Sequence, residues 1–476
     1  MSDPALTEAA IEGAAPPRLR DALRASFRGD RYDYTSGPVG RAVILLAVPM
    51  VLEMAMESIF AVCDIFFVGR LGASAVATVG LTESLLTLVY TLAMGVAIAA
   101  TAIVARRIGE GDERGAGRAA GQALLLGVIV SLVLGIGGGI YAPRWLALMG
   151  AGRDVLAVGS TYSRVMLGGS AVILFLFLIN AIFRGAGDAV IAMRVLWLAN
   201  GINILLGPCL IFGLGPFPRL GVTGAATATT IGRGIGALFA LSRLALGKGR
   251  VRAHLRDLLP DRELLLRLTR LAASGTGQVF IGAASWIGLV RIVSVFGSDA
   301  LAGYTIGIRI ILFALLPSFG MSNAAATMVG QSLGARDPER AKKAAWTAGR
   351  YNLYALGAIT VIFVAFARPL ATIFSNDPTV IDYAAGCLRV VAAPFPIYAY
   401  GMVFTQSFNG AGDTTTPTLL NLFVFWMFEI PLAWALALPL HLGPSGVFLS
   451  IALAFVLLAI ASGVLFQRGR WATRVV

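Results

Sequence analysis

Charge is what this 476-residue chain most lacks: Asp, Glu, Lys and Arg make up 13% of it, against about a quarter of a soluble domain. With 57% hydrophobic residues and a mean hydropathy of +0.81, it is not a soluble globular protein. Histidine is nearly absent. His254 and His441 form no His-Glu-x-x-His pattern, and no base stands at helical spacing from a Ser or Thr, so an enzyme has no machinery here. Cys63, Cys209 and Cys387 lie in separate hydrophobic runs, which excludes a disulfide framework and a metal-binding spacing. There is no phosphate loop ending in Gly-Lys-Ser, so ATP-driven work by this chain alone is excluded. No cofactor is expected, and energy would have to come from an ion gradient.

Long apolar runs are abundant. Twelve of them, each about the length that crosses a ~30 Å hydrocarbon core as a helix, fall near residues 41–68, 77–105, 119–142, 157–183, 189–212, 222–242, 271–296, 301–331, 344–367, 383–408, 416–439 and 445–467. The chain reads as an all-α polytopic membrane protein. Its net charge of +13 raises the question of a nucleic-acid partner, but 28 of the 38 Lys and Arg lie in the N-terminal segment, the connections after even-numbered helices or the C-terminus. Seven lie on the opposite side: Arg70, Arg144, Arg153, Arg164, Arg219, Arg368 and Arg389. Three, Arg233, Arg291 and Arg309, lie inside spans. This bias is the positive-inside pattern, which predicts both termini in the cytoplasm, a place in the cell's inner membrane and no nucleic-acid partner. Residues 1–40 show no cleavable signal pattern. Leu19, Leu23 and Phe27 repeat at i, i+4, i+8, compatible with a short basic surface helix or an unstructured tail.

The chain repeats itself at an offset of 225 residues. "LGASA" at 71 answers "FGSDA" at 296, "VARRIGEGD" at 104 answers "VGQSLGARD" at 329, "FRGAGD" at 183 answers "FNGAGD" at 408, and "LGVTG" at 220 answers "SGVFL" at 445. Two pseudo-symmetric six-helix bundles follow, at 41–242 and 271–467, joined by a basic linker at 243–270 that carries eight Lys or Arg. The first 40 residues and residues 468–476 flank them. Six helices per half keep both halves in one orientation, an arrangement that places a binding cleft between them. The repeated Gly-Ala-Gly-Asp connections read as turns with Asp capping the next helix. Asp112 and Asp337 read as local partners of basic residues.

The first helix carries Glu53, Glu57 and Asp64. At about 100° per residue, Glu57 lies about 40° and Asp64 about 20° around the helix from Glu53, with Phe60 between them on one narrow face. A charge at mid-bilayer costs at least ~2.5 kcal/mol, so this face must look into protein or water. Like-charge repulsion and burial both favour proton uptake. Glu83, near the same end of helix 2, lies about as deep as Asp64. Asn180, Asn200 and Asn203 add neutral oxygens. In the second half, the positions answering Glu53, Glu57 and Asp64 are Gln278, Gly282 and Leu289, so cation chemistry is expected in the first bundle. The second half offers Gln278, Trp286, Arg291, Arg309, Gln406, Trp426 and Glu429, together with "APFPIYAYG" at 393–401, whose prolines predict a kink. Arg309 and Glu429 are complementary enough to be expected as a buried pair.

"VPMVLEMAMESIFAVCDIFFVGRLG", "NILLGPCLIFGLGPFPRLGVTGAATAT" at 203–229, "GQSLGAR" at 330–336 and the paired "FRGAGD" and "FNGAGD" together resemble the multidrug and toxic compound extrusion (MATE) family of cation-coupled antiporters, over about residues 41–467. The resemblance implies a V-shaped pair of lobes, a functional monomer, and export of amphipathic small molecules by alternating access, driven by inward H⁺ or Na⁺. The family's helix-1 aspartate falls on Asp64 and its helix-5 asparagine on Asn203. Many members have an Asp four residues after that Asn, where this chain has Gly207. Some have a helix-7 Glu eight residues after a proline, where this chain has Gly282, with Ser274 in place of the proline. Glu53, Glu57 or Glu83 is therefore expected to supply the missing carboxylate for cation coupling, with Asp64 and Asn203, and Asp64 and Glu57, helped by Glu83, are expected to exchange the protons. Proton coupling is favoured, with Na⁺ at Asp64 the alternative. Asn180, Asn200, Gln278, Trp286, Arg309, Gln406 and Glu429 are the candidates for lining the substrate cavity. The rival readings are a lipid-linked precursor flippase of the same superfamily, for which three intra-span arginines make a weakly cationic cavity, and a channel or receptor.

Overall fold

The computed structural model describes Phe27 and residues 32–474. The proposed basic helix around Leu19 and Leu23 lies outside the described residues. Twelve helical elements follow: α1 Val39–Gly69, α2 Ala73–Gly109, α3 Glu113–Leu148, α4 in two segments Arg153–Gly168 and Ser170–Ala186, α5 Ala189–Phe212, and α6 Val222–Ala245 complete the first bundle. In the second are α7 Arg262–Val293, α8 Ser298–Gly334, α9 Pro338–Thr372, α10 in two segments Pro378–Ala392 and Phe395–Gly410, α11 Thr415–Ala437 and α12 Pro444–Gln467. Ten elements are long and apolar enough to cross a membrane, and α10, bent by 61° at its break, makes an eleventh. The bend falls at Pro394 and Pro396, where the proline ring removes a backbone donor and crowds the preceding turn. The remaining element, α6, is diluted by Gly224, Gly232, Gly234 and Gly236 and by Arg233.

Two boundaries differ from the sequence pattern, each for a local reason. α7 starts at Arg262, so residues 262–270 of the expected linker are helical. The Asp261 carboxylate accepts from the Leu264 N–H at 3.2 Å and starts the helix before its apolar run begins. What precedes it docks on α3: Gln122 Nε2 donates to Asp257 O and Leu259 O, both at 2.7 Å, and Arg118 meets Asp261 at 2.8 Å. The 225-residue register also slips near the end. Gly221 and Gly443, both left-handed at φ 57° and 58°, begin α6 and α12 at an offset of 222, because the turn before α12 is shorter. Of the expected aspartate roles, Asp112 and Asp337 cap α3 and α9, accepting from the N–H groups of Gly115 and Arg340 at 2.7 and 2.9 Å. Asp112 also meets Arg107 at 3.8 Å, the expected local ion pair. Of the two Gly-Ala-Gly-Asp residues, Asp413 caps the next helix, accepting from the Thr416 N–H at 3.3 Å and its hydroxyl at 2.6 Å, whereas Asp188 accepts from the Arg250 N–H at 2.6 Å.

Each bundle has its own apolar core. A further cluster joins Leu46 and Met50 of α1 to Ala324 and Met328 of α8 and Ala348 of α9, so the first half of α1 leans on the second bundle. α7 crosses the other way: a Cβ on Gly95 of α2 would stand 2.6 Å from Ala272 O. Both crossings lie toward the end that carries most of the cations, called here the basic end. There the bundles meet backbone to backbone, with Gly109 against Gln331 O, where a Cβ would lie at 2.0 Å, and Gly334 against Arg106 O at 2.2 Å. Thr327 Oγ1 donates to Arg184 O at 3.1 Å, and Gln331 Nε2 to Gly185 O at 2.9 Å.

Both chain ends strap this closure. The Tyr34 hydroxyl donates to Gly187 O of the first bundle, and Arg250 donates to Tyr32 O. Arg340 of the second bundle donates to Tyr34 O, Gly37 O and Ser36 O at 3.0, 2.8 and 2.6 Å. At the other terminus, Arg106 donates to Arg474 O at 2.7 Å while Arg474 reaches Asp413 at 3.5 Å. Among the described hydrogen bonds between bundles, the one furthest from the basic end joins Ser58 Oγ to Phe313 O at 3.2 Å. Beyond it Phe66, Glu83 and Arg309 are exposed, and the described hydrogen bonds between the bundles end, so the bundles are joined at the basic end.

Because a Cβ at Gly109 has no room, Gly109→Val should prop the basic end open. Double electron–electron resonance between spin labels at Glu110 and Arg336 should show a short separation in the parent and a longer, broader one in the variant. An unchanged distribution would contradict the closure described here.

Candidate functional site

The acid face of α1 turns into the first bundle, but the bundle does not treat its three carboxylates alike. Glu53 is 1% exposed and accepts from Arg184 Nη1 at 3.0 Å and from Asn180 Nδ2 at 3.3 Å, both on α4. Glu57, one turn on, is half-buried and accepts from Asn200 Nδ2 of α5 at 2.8 Å and Arg233 Nη2 of α6 at 3.4 Å. Arg233 is held in turn: its other terminal nitrogen donates to the Tyr90 hydroxyl at 2.6 Å, and the guanidinium carbon lies 5.6 Å from both the Tyr90 and Phe60 ring centroids. Packing on two ring faces adds cation–π attraction to the hydrogen bonds. The stripe of acids is therefore matched by a stripe of donors from three helices.

Asp64 is different. It is half-buried and within electrostatic range of Arg233, but no side-chain hydrogen bond or ion pair engages it among the described residues. Glu83 is exposed, lies within electrostatic range of both Asp64 and Arg309, and is likewise unpaired. The buried Tyr162 completes this group. The structure thus brings Asp64 and Glu83 together at the mouth of the first bundle. Asn203 points elsewhere, donating to Thr229 Oγ1 at 2.8 Å. Gly207 leaves open space: the nearest atom to a Cβ there would be Asn203 Oδ1 at 3.8 Å. Among the described residues, no group of three or more His, Cys, Asp or Glu side chains is placed to hold a metal ion.

The second-bundle residues do not gather at one point. Gln278 is buried, with its backbone oxygen accepting from Asn421 Nδ2 at 3.2 Å. Trp286 is half-buried against the core, and Gln406 accepts from Asn409 Nδ2 at 2.9 Å. The expected Arg309–Glu429 pair does not form. Arg309 is exposed on α8 within electrostatic range of Glu83, whereas Glu429 is 2% exposed inside its own bundle. Complementary sign alone did not carry the depth and face of each side chain.

Arg184 is the residue that sequence reasoning missed. It stands beside the Gly-Ala-Gly-Asp turn and counts as a loop cation, yet it is 9% exposed in the last turn of α4. The available signal is its position four residues after Asn180, on the same helix face. Removing one partner of a buried pair leaves an uncompensated charge, at about 3–5 kcal/mol. Arg184→Met should destabilise the detergent-solubilised protein on that scale in chemical denaturation, and adding Glu53→Gln should recover most of the loss. Additive losses would contradict the pairing.

The MatE family model matches residues 49–209 and 280–435, one stretch in each bundle. A probable multidrug resistance protein of Bacillus subtilis is 26% identical over 427 residues, covering 88% of this chain and 91% of its own. The FAD transporter of Shewanella oneidensis is 27% identical over 442 residues, covering 92% and 97%. Among solved structures, the outward-facing conformation of a multidrug resistance MATE family transporter superimposes with a TM-score of 0.86 at 27% identity, covering 92% of this chain and 97% of that one. With a stretch of each bundle matched by the family model and the fold shared over nearly the whole chain, this chain belongs to the MATE family of membrane transporters and is not an enzyme.

Proposed function

We propose that this protein is a proton-coupled antiporter that exports small amphipathic organic compounds across the inner membrane by alternating access between the lobes 41–242 and 271–467, working as a monomer. The basic end is its cytoplasmic end, by the charge bias along the chain, so the described state faces outward. The reading rests on one observation above all: Asp64 and Glu83 are unpaired at the mouth of the first bundle, while Glu53 and Glu57 each have an arginine. Asp64 and Glu83 exchange protons with the outer solution. Glu57 acts with them through Arg233, which lies between Glu57 and Asp64 and can strengthen its hold on one as the other takes up a proton. Glu53, with Asn180, is the fixed anchor.

The available ligands, rather than the guanidinium, favour H⁺ over Na⁺. A sodium ion at Asp64 would find no carboxylate at Gly207 and only the Oδ1 of Asn203, whose amide donates to Thr229. In the substrate cleft, Arg309 opposite Glu83 offers both signs of charge, which suits cationic and zwitterionic compounds as well as anionic ones. Relatives named for multidrug resistance and for FAD transport span a comparable range. Trp286, half-buried, is proposed to contribute an aromatic contact deeper in the cleft, whereas Gln278 and Asn200 are buried and act behind its wall.

Proteoliposomes containing ethidium as the probe, with a pH gradient imposed in sodium-free buffer, test this reading. Transport should be present without sodium and gain nothing from a sodium gradient at fixed pH. Asp64→Asn and Glu83→Gln should each lower it to the level of protein-free vesicles. Full gradient-driven transport in both variants would contradict the assignment, and an absolute sodium requirement would contradict proton coupling.

A further inference from the structure

Helix α11 loses its regular winding where its acid sits. Leu422–Glu429 is a π-helix between two α-helical stretches, and Glu429 closes it. Such wide turns are rare and concentrate at functional positions. Glu429 Oε2 is buried with no hydrogen-bond partner, and no basic side chain of the described residues lies within ion-pair distance. The titratable groups that face it are Tyr304 from α8 and Tyr398 from α10, with Cys387 of α10 beside Tyr304. α12 contributes aromatic rings: Tyr304 stacks on Phe448, and Tyr398 on Phe455 at 4.0 Å. Tyr304 is itself 2% exposed, and its buried hydroxyl has no hydrogen-bond partner.

Two buried, unpartnered polar atoms, Glu429 Oε2 and the Tyr304 hydroxyl, therefore lie in the aromatic-walled interior of the second bundle. An ionised carboxylate stripped of water and of any counter-charge is strongly disfavoured, whereas a neutral carboxyl is tolerated. We propose that Glu429 is a second proton site of this transporter, separate from the acids of the first bundle. It holds a proton in this outward-facing state and gives it up when the π segment of α11 opens the site to water. That release depends on the proton coupling proposed above; the neutral carboxyl in this state does not.

Infrared difference spectroscopy of the purified full-length protein at neutral pH reads the carboxyl directly. The protonated-carboxyl C=O stretch should contain a component that Glu429→Gln removes and Asp64→Asn keeps. Identical wild-type and Glu429→Gln spectra in this region would overturn the proposal. Should the Gln variant fail to fold, Glu429→Asp should shift the same component, and an unshifted band would overturn the proposal equally. For the role in transport, the log rate of pH-driven ethidium movement plotted against pH should flatten in Glu429→Gln by about one proton. An unchanged slope would remove Glu429 from the cycle, and absence of ethidium transport in the wild type would count against the proposed function while leaving the infrared result standing.

Discussion

The ion pair between Glu53 and Arg184, 3.0 Å long and all but sealed from solvent, fixes how the first helix can sit. A carboxylate in a membrane-spanning helix needs a donor, a counter-charge or a proton, and Glu53 finds the first two on α4. That choice sets the rotation of α1 and carries Glu57 toward Asn200 and Arg233. About two turns beyond Glu57, Asp64 emerges at the mouth of the bundle with no partner left over. Arg184 serves a second purpose through its backbone, since its carbonyl accepts from Thr327 of the other bundle. The anchor of the acid face is thus also part of the closed basic end, and a movement of the lobes is felt at α1.

Closure itself depends on the absence of side chains. At Gly109, Gly334 and Gly95 the two bundles approach to distances that no Cβ would allow, and the tails at residues 32–38 and 470–474 tie the seam from both sides. A backbone seam with few interdigitating side chains suits a contact that must repeatedly part. The apolar cluster around Met50 and Met328 is where α1 changes bundle, so bending α1 and parting the seam are one motion.

Most of the architecture was legible in the sequence, because lipid leaves the chain few options: apolar length gives the spans, Lys and Arg give the bias, and the repeat gives the two bundles. The misses have physical causes. The start of α7 was hidden because its first turns lie among charged residues and rely on the Asp261 cap. The change of register before α12 lies in a turn, where hydropathy carries no signal. In the site, helical phase placed Glu53, Glu57 and Asp64 on one face correctly, but phase says nothing about what the neighbouring helices offer. Arg184 and Arg233, which divide the acids into paired and unpaired, come from α4 and α6, 131 and 176 residues away along the chain. The same limit explains Arg309 and Glu429, which are opposite in sign but lie at different depths.

The central claim is that the arginines hold Glu53 and Glu57 as ion pairs and leave Asp64 and Glu83 free to take up protons. An apolar carbodiimide reacts with protonated carboxyls and spares carboxylates in ion pairs, so peptide mapping by mass spectrometry after treatment of the intact membrane-embedded protein reads this division residue by residue. The account predicts adducts on Asp64 and Glu83 and none on Glu53 or Glu57. Adducts on Glu53 or Glu57 with Asp64 and Glu83 unmodified would contradict it.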